Sequence, residues 1–298
     1  MRNKKLRPSD EAVVGIVVAV LLIGLTVSVV ALVQTQYVPK WMKQKEAEHM
    51  EEVIDQFTRM KFAIDTQVAT EIETPIATTI TLGSKELPYL LSQRSFGQLD
   101  ILTHDYSGCV FNITTNAKYY SIPIGTIKYS SSNAYYLDQS FIYETGTIIT
   151  NQSDGYDMTI KPSFLIKKNA GMVNLTLNLV NITAIGGKIQ GSGYGSTAIL
   201  TEYNQSLIDN TDPYVDENVS EIVITSNYRD EWQNYMDWLL DQKLVSYDED
   251  SDDYEYNVTA SGNDVTIDFN KIGNTENDPK LELKVHEIQA QLGPGWVE

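Results

Sequence analysis

The sequence predicts an α+β protein that is mainly β. It begins with a transmembrane helix and an amphipathic stem helix, and continues as an antiparallel β-sandwich-like exterior domain with one packed helix. Three observations predict this class: an uncharged apolar run, a helical apolar repeat behind it, and many short runs rich in Val, Ile, Thr and Tyr. The chain divides into a basic leader (1–11), a transmembrane helix (12–33), a stem (34–66) and an exterior domain (67–298).

The apolar run is long enough to cross a bilayer. Its twenty-two residues, 12–33, contain no Asp, Glu, Lys or Arg. At a rise of about 1.5 Å per residue they span roughly 33 Å, against a hydrocarbon core of about 30 Å. A signal-peptide core is shorter, about 7–15 residues. The run therefore predicts a single-pass membrane anchor.

Two observations predict its orientation. Arg2, Lys4, Lys5 and Arg7 precede the span, and basic residues beside a first membrane helix favour the cytoplasm. All N-x-S/T triplets follow the span, which predicts an extracellular, glycosylated C-terminal domain. Chance triplets in an Asn- and Thr-rich chain remain the alternative. The candidate glycosylation sites are Asn112, Asn151, Asn174, Asn181, Asn204, Asn218 and Asn257.

Charge and cysteine content exclude some functions. The chain has 22 Lys and Arg against 40 Asp and Glu. Residues 1–45 hold seven of the basic and two of the acidic residues, so residues 46–298 carry 15 basic and 38 acidic ones, a net charge of −23. Such a surface repels nucleic acid. Cys109 is the only cysteine, so no intrachain disulfide forms, and its apolar neighbours predict a buried thiol.

The stem is predicted to be a helix with one apolar face. Its apolar residues recur at steps of three and four, with charged residues opposite. The stripe can pack against one of two partners, the β domain of the same molecule or neighbouring stems. Tyr37 and Trp41 suit a membrane interface, and Pro39 predicts a kink or a short break. The stripe consists of Met50, Val53, Ile54, Phe57, Met60 and Ile64.

Beyond the stem, strands are predicted between turn residues, and one amphipathic helix follows Ser226 or Asn227 as N-cap. Residues 173–179 alternate strictly, so Asn174 is expected to face solvent. The strands and the helix are expected to fold without the stem. The predicted strands are 76–82, 99–103, 110–114, 124–129, 141–150, 158–166, 172–185, 221–225, 254–259, 265–269 and 281–288.

No catalytic motif is present, so the sequence predicts no enzyme and no cofactor. His49, His104 and His286 lack metal-ligand spacing. The acidic run 248–255 has the wrong register for a calcium-binding EF-hand, and 191–196 lacks the helix and lysine of a phosphate loop. We therefore expect no metal site.

Several stretches resemble known surface proteins. Asp10-Glu11-Ala12-Val13-Val14-Gly15, opening into the span, resembles the start of archaeal type IV pilins. The stem, the segments 125–129, 131–135 and 143–146, and the Trp232 helix resemble an archaeal membrane-anchored family of uncharacterised function. The resemblance implies a lone N-terminal helix carrying a β-rich exterior domain. It also implies leader cleavage between Ala12 and Val13.

The implied function is a structural or interaction role in the archaeal cell envelope. Partners are the lipid bilayer and other envelope or pilin-like proteins through the stem. Gly15 and Gly24 are nine residues apart and face opposite sides of a helix, so no close-packing glycine stripe exists and the span is expected mainly to anchor. The alternative is a receptor or adhesin for a sugar, peptide or cation, with a pocket lined by Tyr119, Tyr120, Tyr135 and Tyr136.

Overall fold

The structure is a computed structural model, and it describes a mostly antiparallel β protein with a long N-terminal helix. Two sheets face each other like the layers of a sandwich, in agreement with the predicted fold class. The described residues are 8–84, 95–169, 172–204, 214–246, 255–269 and 279–293.

The span and the stem form one continuous helix. Helix α1 covers Pro8–Leu32, a π-helical turn covers Val33–Tyr37, and helix α2 covers Val38–Thr70. The predicted break at Pro39 is therefore wrong, while the predicted kink stays a prediction. Pro39 has no N–H to donate, so one hydrogen bond of the α-helix is missing there. The helix continues through a wider π turn just before it, in which the Val38 N–H bonds to the Val33 carbonyl five residues back.

The larger sheet has ten strands, and its central path runs β1-β12-β16-β13-β15-β14. Strand β10 also pairs with β16 and carries β9 on its other edge, and β3 also pairs with β13 and carries β4. Its strands are β1 (Ile76–Thr81), β3 (Cys109–Thr115), β4 (Tyr119–Ile124), β9 (Leu165–Asn169), β10 (Met172–Ala184), β12 (Ser196–Tyr203), β13 (Tyr214–Thr225), β14 (Tyr256–Ser261), β15 (Asp264–Phe269) and β16 (Lys280–Leu292).

The smaller sheet has six strands in the order β11-β2-β5-β6-β7-β8. Two further helices, α3 (His104–Ser107) and α4 (Arg229–Asp241), lie between strands in the sequence. The strands of this sheet are β2 (Phe96–Leu102), β5 (Thr126–Ser132), β6 (Ser140–Glu144), β7 (Thr147–Gln152), β8 (Gly155–Ile160) and β11 (Gln190–Gly193).

The long strands β10 and β16 pair in parallel over eleven residue pairs and serve two hydrophobic cores. Leu175, Leu177 and Leu179 of β10 enter one core, whereas Val180 and Ile182, further along the same strand, enter the other. Since side chains alternate along a strand, the change from odd to even positions moves the buried face to the opposite side of the sheet. We call the two clusters the α4 core and the stem core.

Each core is closed by a different helix. In the α4 core, Trp232, Tyr235 and Met236 of α4 pack against β3, β13, β14 and β15. The Trp232 ring lies edge-on to Phe111, with centroids 5.4 Å apart. In the stem core, α2 packs between residues of both sheets, and Phe57 contacts Phe141 at 6.0 Å between centroids. One helix therefore comes from within the β domain, and the other continues the apolar span.

The ends of the other predicted strands shift by up to seven residues, and three predictions differ from the structure in kind. The predicted strand 141–150 is two strands joined by the turn Thr145–Gly146, and the predicted strand 158–166 is β8 and β9 with Pro162 between them. Helix α4 begins at Arg229, and neither Ser226 nor Asn227 caps it. The Ser226 hydroxyl instead accepts a hydrogen bond from the Tyr228 N–H, ahead of the helix.

Candidate functional site: the stem helix and its junction with the β domain

The first part of the long helix is apolar on every side, and its side chains are not buried by the rest of the described chain. Side chains that point in opposite directions, such as Ile16 and Leu25, are more than 60% exposed. Thr26 and Ser28 donate their hydroxyl hydrogens to the carbonyls of Leu22 and Gly24, so their polarity is satisfied within the helix. This helix has the length and composition of a membrane anchor or a signal sequence.

Beyond the π turn, the same helix becomes part of the protein interior. The predicted stripe enters the stem core, where Val53, Phe57, Met60 and Ile64 are fully buried and Ile54 is partly buried. The β domain of the same chain thus covers the stripe, which leaves it unavailable to a neighbouring stem. The expectation that the domain folds without the stem conflicts with this packing. A partner of the stem remains a prediction and would need another face of the helix.

A buried carboxylate fastens the stem to the loop between β5 and β6. Glu46 is fully buried, and its two oxygens accept hydrogen bonds from the backbone N–H groups of Ala134, Tyr135 and Tyr136 at 3.0, 2.7 and 2.6 Å. Charge-assisted bonds to several N–H groups are a strong form of hydrogen bonding. One side chain of α2 thereby fixes the conformation of a loop about 90 residues later in the chain.

One turn further along α2, a second polar contact joins stem and sheet. Tyr129 donates its hydroxyl hydrogen to the Leu82 carbonyl at 2.8 Å. His49 Nε2 lies 3.1 Å from the Tyr129 hydroxyl oxygen and therefore donates a hydrogen bond to it. Burial lowers the pKa of His49, and the nearby Leu82 carbonyl opposes the shift. Gly97 admits this arrangement, because a Cβ there would lie 1.9 Å from the Leu82 oxygen.

Between the two cores lies a second buried carboxyl group, Glu144. Its Oε1 accepts hydrogen bonds from Trp232 Nε1 at 2.6 Å and from the Ser226 hydroxyl at 2.9 Å. In the described part of the chain its Oε2 has no partner with hydrogen-bond geometry, although the Cys109 thiol lies close enough to act as a weak donor. Burial raises the pKa of Glu144, and its three donors oppose the shift. The arrangement makes Glu144 a buried link between β6 and α4 whose ionised form burial disfavours.

The residues after Glu144 contact β10 at the point where its buried face changes. Thr145 and Gly146 form a tight turn with φ values of 39° and 83°, and the Thr145 hydroxyl accepts a hydrogen bond from the Val180 N–H at 2.8 Å. Next along β10, Asn181 accepts a bond from Gly125 N–H at 2.7 Å and donates to both oxygens of Glu287. These contacts hold both sheets together at the boundary between the cores.

The predicted glycosylation sites are spread over both sheets. Asn174 is exposed, as expected, whereas Asn181 is only 8% exposed. The Asn181 amide oxygen accepts the bond from Gly125, and its nitrogen donates to Glu287. In the folded chain Asn181 does not present a free amide. The remaining sites, all partly exposed, are Asn112, Asn151, Asn204, Asn218 and Asn257.

Four of these sites lie on one surface. Asn112, Asn174, Asn218 and Asn257 belong to the larger sheet, and in each strand a neighbouring residue faces the α4 core. Asn174 and Asn218 are both paired with Lys280 of β16, one on each side. The sequence showed the triplets but not this common face, because it depends on pairing between distant strands.

Other predicted residues are not brought together. Tyr120 packs at the α4 core and Tyr136 at the stem core, so the four predicted tyrosines do not line one pocket. Cys109 is a free, fully buried thiol, as predicted. Within the described ranges no group of three or more His, Cys, Asp or Glu is placed to hold a metal ion. Most of the acidic run 248–255 lies outside those ranges, as do the side chains of Ala12 and the leader before it.

The fold and the junction define a class of protein, a β-rich domain carried on one long N-terminal helix whose first part is apolar. Residues 12–290 match the model of a family of unknown function, DUF7289, and the chain belongs to that family. The comparisons with curated proteins and with solved structures gave no match.

Proposed function

We propose that this protein is a single-pass, membrane-anchored, pilin-like surface protein with a structural or interaction role in the archaeal envelope. Its N-terminus is cytoplasmic and its β domain is extracellular. The observation that carries the proposal is the continuous helix, which passes from a fully exposed apolar segment directly into the stem core. Exposed apolar side chains on every side of a helix need a nonpolar environment, and a bilayer supplies it.

The way the stem is used favours an anchor over a filament subunit. A filament built from stems would bury the stripe between molecules, whereas here Phe57 and Met60 are already buried within one chain. The described residues contain neither an aromatic pocket formed by the predicted tyrosines nor a group placed to hold a metal. A sugar- or cation-binding receptor is therefore the weaker alternative.

Fractionation of cells that produce the full chain tests the anchor. The protein is expected in membranes after an alkaline carbonate wash, and its β domain is expected to be digested when protease is added to whole cells. Recovery in the soluble exterior fraction, with the apolar segment removed, would identify that segment as a signal sequence. Protection of the β domain, while other surface proteins are digested, would reverse the orientation.

Mild detergent extraction and intact mass test the pilin-like part of the proposal. A monomer or small oligomer is expected after extraction, whereas long, shear-resistant filaments made of this chain would make it a true pilin. Loss of the residues before Val13 from the mature mass would support processing like that of pilins. A mass that retains the whole leader would remove that likeness.

A further inference from the structure

We propose that the β domain rests directly on the headgroup layer of the bilayer, where Lys40 and Lys43 bind anionic lipid headgroups. This inference rests on the proposed function, since it requires residues 12–33 to span the membrane. It adds a lipid-binding surface and a fixed position of the domain.

The inference rests on the short distance along the helix between the end of the membrane span and the first buried residues of the stem. Val38 lies five residues beyond the end of the span, which is about 8 Å along a helix. The headgroup layer occupies roughly 5–8 Å on each side of the hydrocarbon core. Val38 is nevertheless only 2% exposed and Met42 is fully buried. One side of the stem is therefore covered from the level of the headgroups upward, and no free linker separates the domain from the membrane.

The uncovered side of the stem at this height suits a lipid interface. Tyr37 and Trp41 are 49% and 44% exposed, and their ring centroids lie 6.0 Å apart. Lys40 and Lys43 are exposed beside them. Side chains on a helix lean toward its N-terminus, here toward the bilayer, and lysine stems extend so that the charge reaches the headgroups. Aromatic rings and lysines together are the usual residues of a membrane interface.

The charge distribution specifies the kind of lipid. Residues 46–298 carry a net charge of −23, which an anionic membrane repels. Lys40 and Lys43 lie about 10 and 15 Å beyond the span, so their extended side chains reach within a screening length, about 8 Å, of the headgroups. A basic collar at this position attracts anionic headgroups and offsets the repulsion of the acidic domain.

The junction keeps the domain at this height. The helix runs without interruption through the π turn, and Glu46 holds the β5–β6 loop to the stem. Leu137, in the same loop, is 45% exposed. At the other end of the stem, Ile72 is 52% exposed and lies about 58 Å beyond the span. These two residues give a near and a far position for measuring the distance to the membrane.

Energy transfer in proteoliposomes tests the position. Leu137→Cys and Ile72→Cys are each labelled in the full chain, because native Cys109 is fully buried and burial raises the pKa of its thiol. Transfer to a headgroup-labelled lipid is expected to be strong from position 137 and weak from 72. Equally weak transfer from both positions, in protein that resists a carbonate wash, would overturn the inference while leaving the anchor intact. Protein released by the wash would instead contradict the proposed function.

Charge reversal tests the lipid partner. In Leu137→Cys protein, Lys40→Glu with Lys43→Glu is compared with Lys167→Glu with Lys188→Glu, an equal charge change at exposed sites on the β domain. In mixed vesicles whose acceptor is carried by the anionic lipid, the stem variant is expected to show weaker transfer from position 137 than the control, because fewer anionic headgroups collect beneath the domain. With the acceptor on the zwitterionic lipid, both variants are expected to transfer equally. Identical behaviour of the two variants would remove the role assigned to Lys40 and Lys43.

Discussion

The two hydrophobic cores are built from the same central strands but closed by helices of different origin. The α4 core uses a helix that lies between strands of the β domain, whereas the stem core uses the helix that continues the apolar span. Both contain fully buried aromatic rings and aliphatic strand residues. The difference shows that the long N-terminal helix is also part of the fold, so that stability and the proposed attachment depend on one element.

Removing the stem has the largest expected effect. A chain that starts at Thr66 lacks Met50, Val53, Phe57 and Met60, whose burial, with that of their neighbours, contributes on the order of 10 kcal/mol. Since domains are stable by only about 5–15 kcal/mol, we expect aggregation and no cooperative melt. A chain that starts at Val38 keeps the stem and is the control. A cooperative melt of the Thr66 chain would show that the α4 core suffices.

Matched truncations compare the cores directly. Phe57→Ala and Phe111→Ala each remove a fully buried ring, one from the stem core and one from the α4 core. Each is expected to cost about 3–5 kcal/mol. Because β10 and β16 serve both cores, hydrogen exchange should rise in α2 and α4 together in either variant. Exchange that rises only around the substituted ring would mean that the cores unfold separately.

Glu144 sharpens the comparison at the boundary. Burial raises its pKa above 4.5, so its contribution to stability is full below that pH and is lost as pH rises through the folded-state pKa. Glu144→Gln keeps an acceptor for Trp232 and Ser226 without a charge. We expect it to be more stable than wild type at neutral pH, and less pH-dependent.

Thermal melts across pH check this expectation. Glu144→Ala leaves two buried donors without an acceptor and is expected to be destabilised by about 2–4 kcal/mol at every pH. If Glu144→Gln melted at a lower temperature than wild type at neutral pH, the raised pKa assigned to Glu144 would be contradicted.

The smallest expected effect belongs to the stem core alone. Burial lowers the pKa of His49 below 6.5, while Glu46 and Glu52 oppose the shift. Its contribution is therefore full above pH 6.5 and is lost as pH falls through the folded-state pKa. His49→Gln should therefore lose less melting temperature than wild type when the pH falls below 6.5. His286, which is also buried with a lowered pKa, should remain as the second source of acid sensitivity.

Local patterns predicted the elements that bury one face. The stem stripe, the strand 172–185 and the helix with Trp232 follow from periodicity, and the structure has a helix or strand at each. The turn at Thr145 could not be predicted in this way, because it lies within a run of β-type residues and threonine rarely adopts a φ of 39°. Its conformation is held by a tertiary bond to Val180, which no local window contains.

The junction was beyond the reach of sequence patterns for the same reason. Glu46 looked like one more charge on a solvated helix face, but its partners lie about 90 residues away in the sequence. Asn181 looked like a glycosylation site, but its partner Glu287 comes from the parallel strand β16. Parallel pairing joins distant segments and leaves no hairpin signal. The one local clue to this junction is that the alternation of apolar and polar residues in β10 stops after Leu179, where the buried face of the strand changes.

The place of β16 in the sequence has a consequence for biosynthesis. This strand pairs with β10, β12 and β13, yet it is made after every other strand of the described residues. Since chains are synthesised from the N-terminus, these three strands wait with one edge open until residues 280–292 emerge. During that interval the Asn181 amide lacks the Glu287 carboxylate that binds it in the folded chain. The last strand to be synthesised thus completes both the centre of the sheet and the hydrogen bonds of this asparagine.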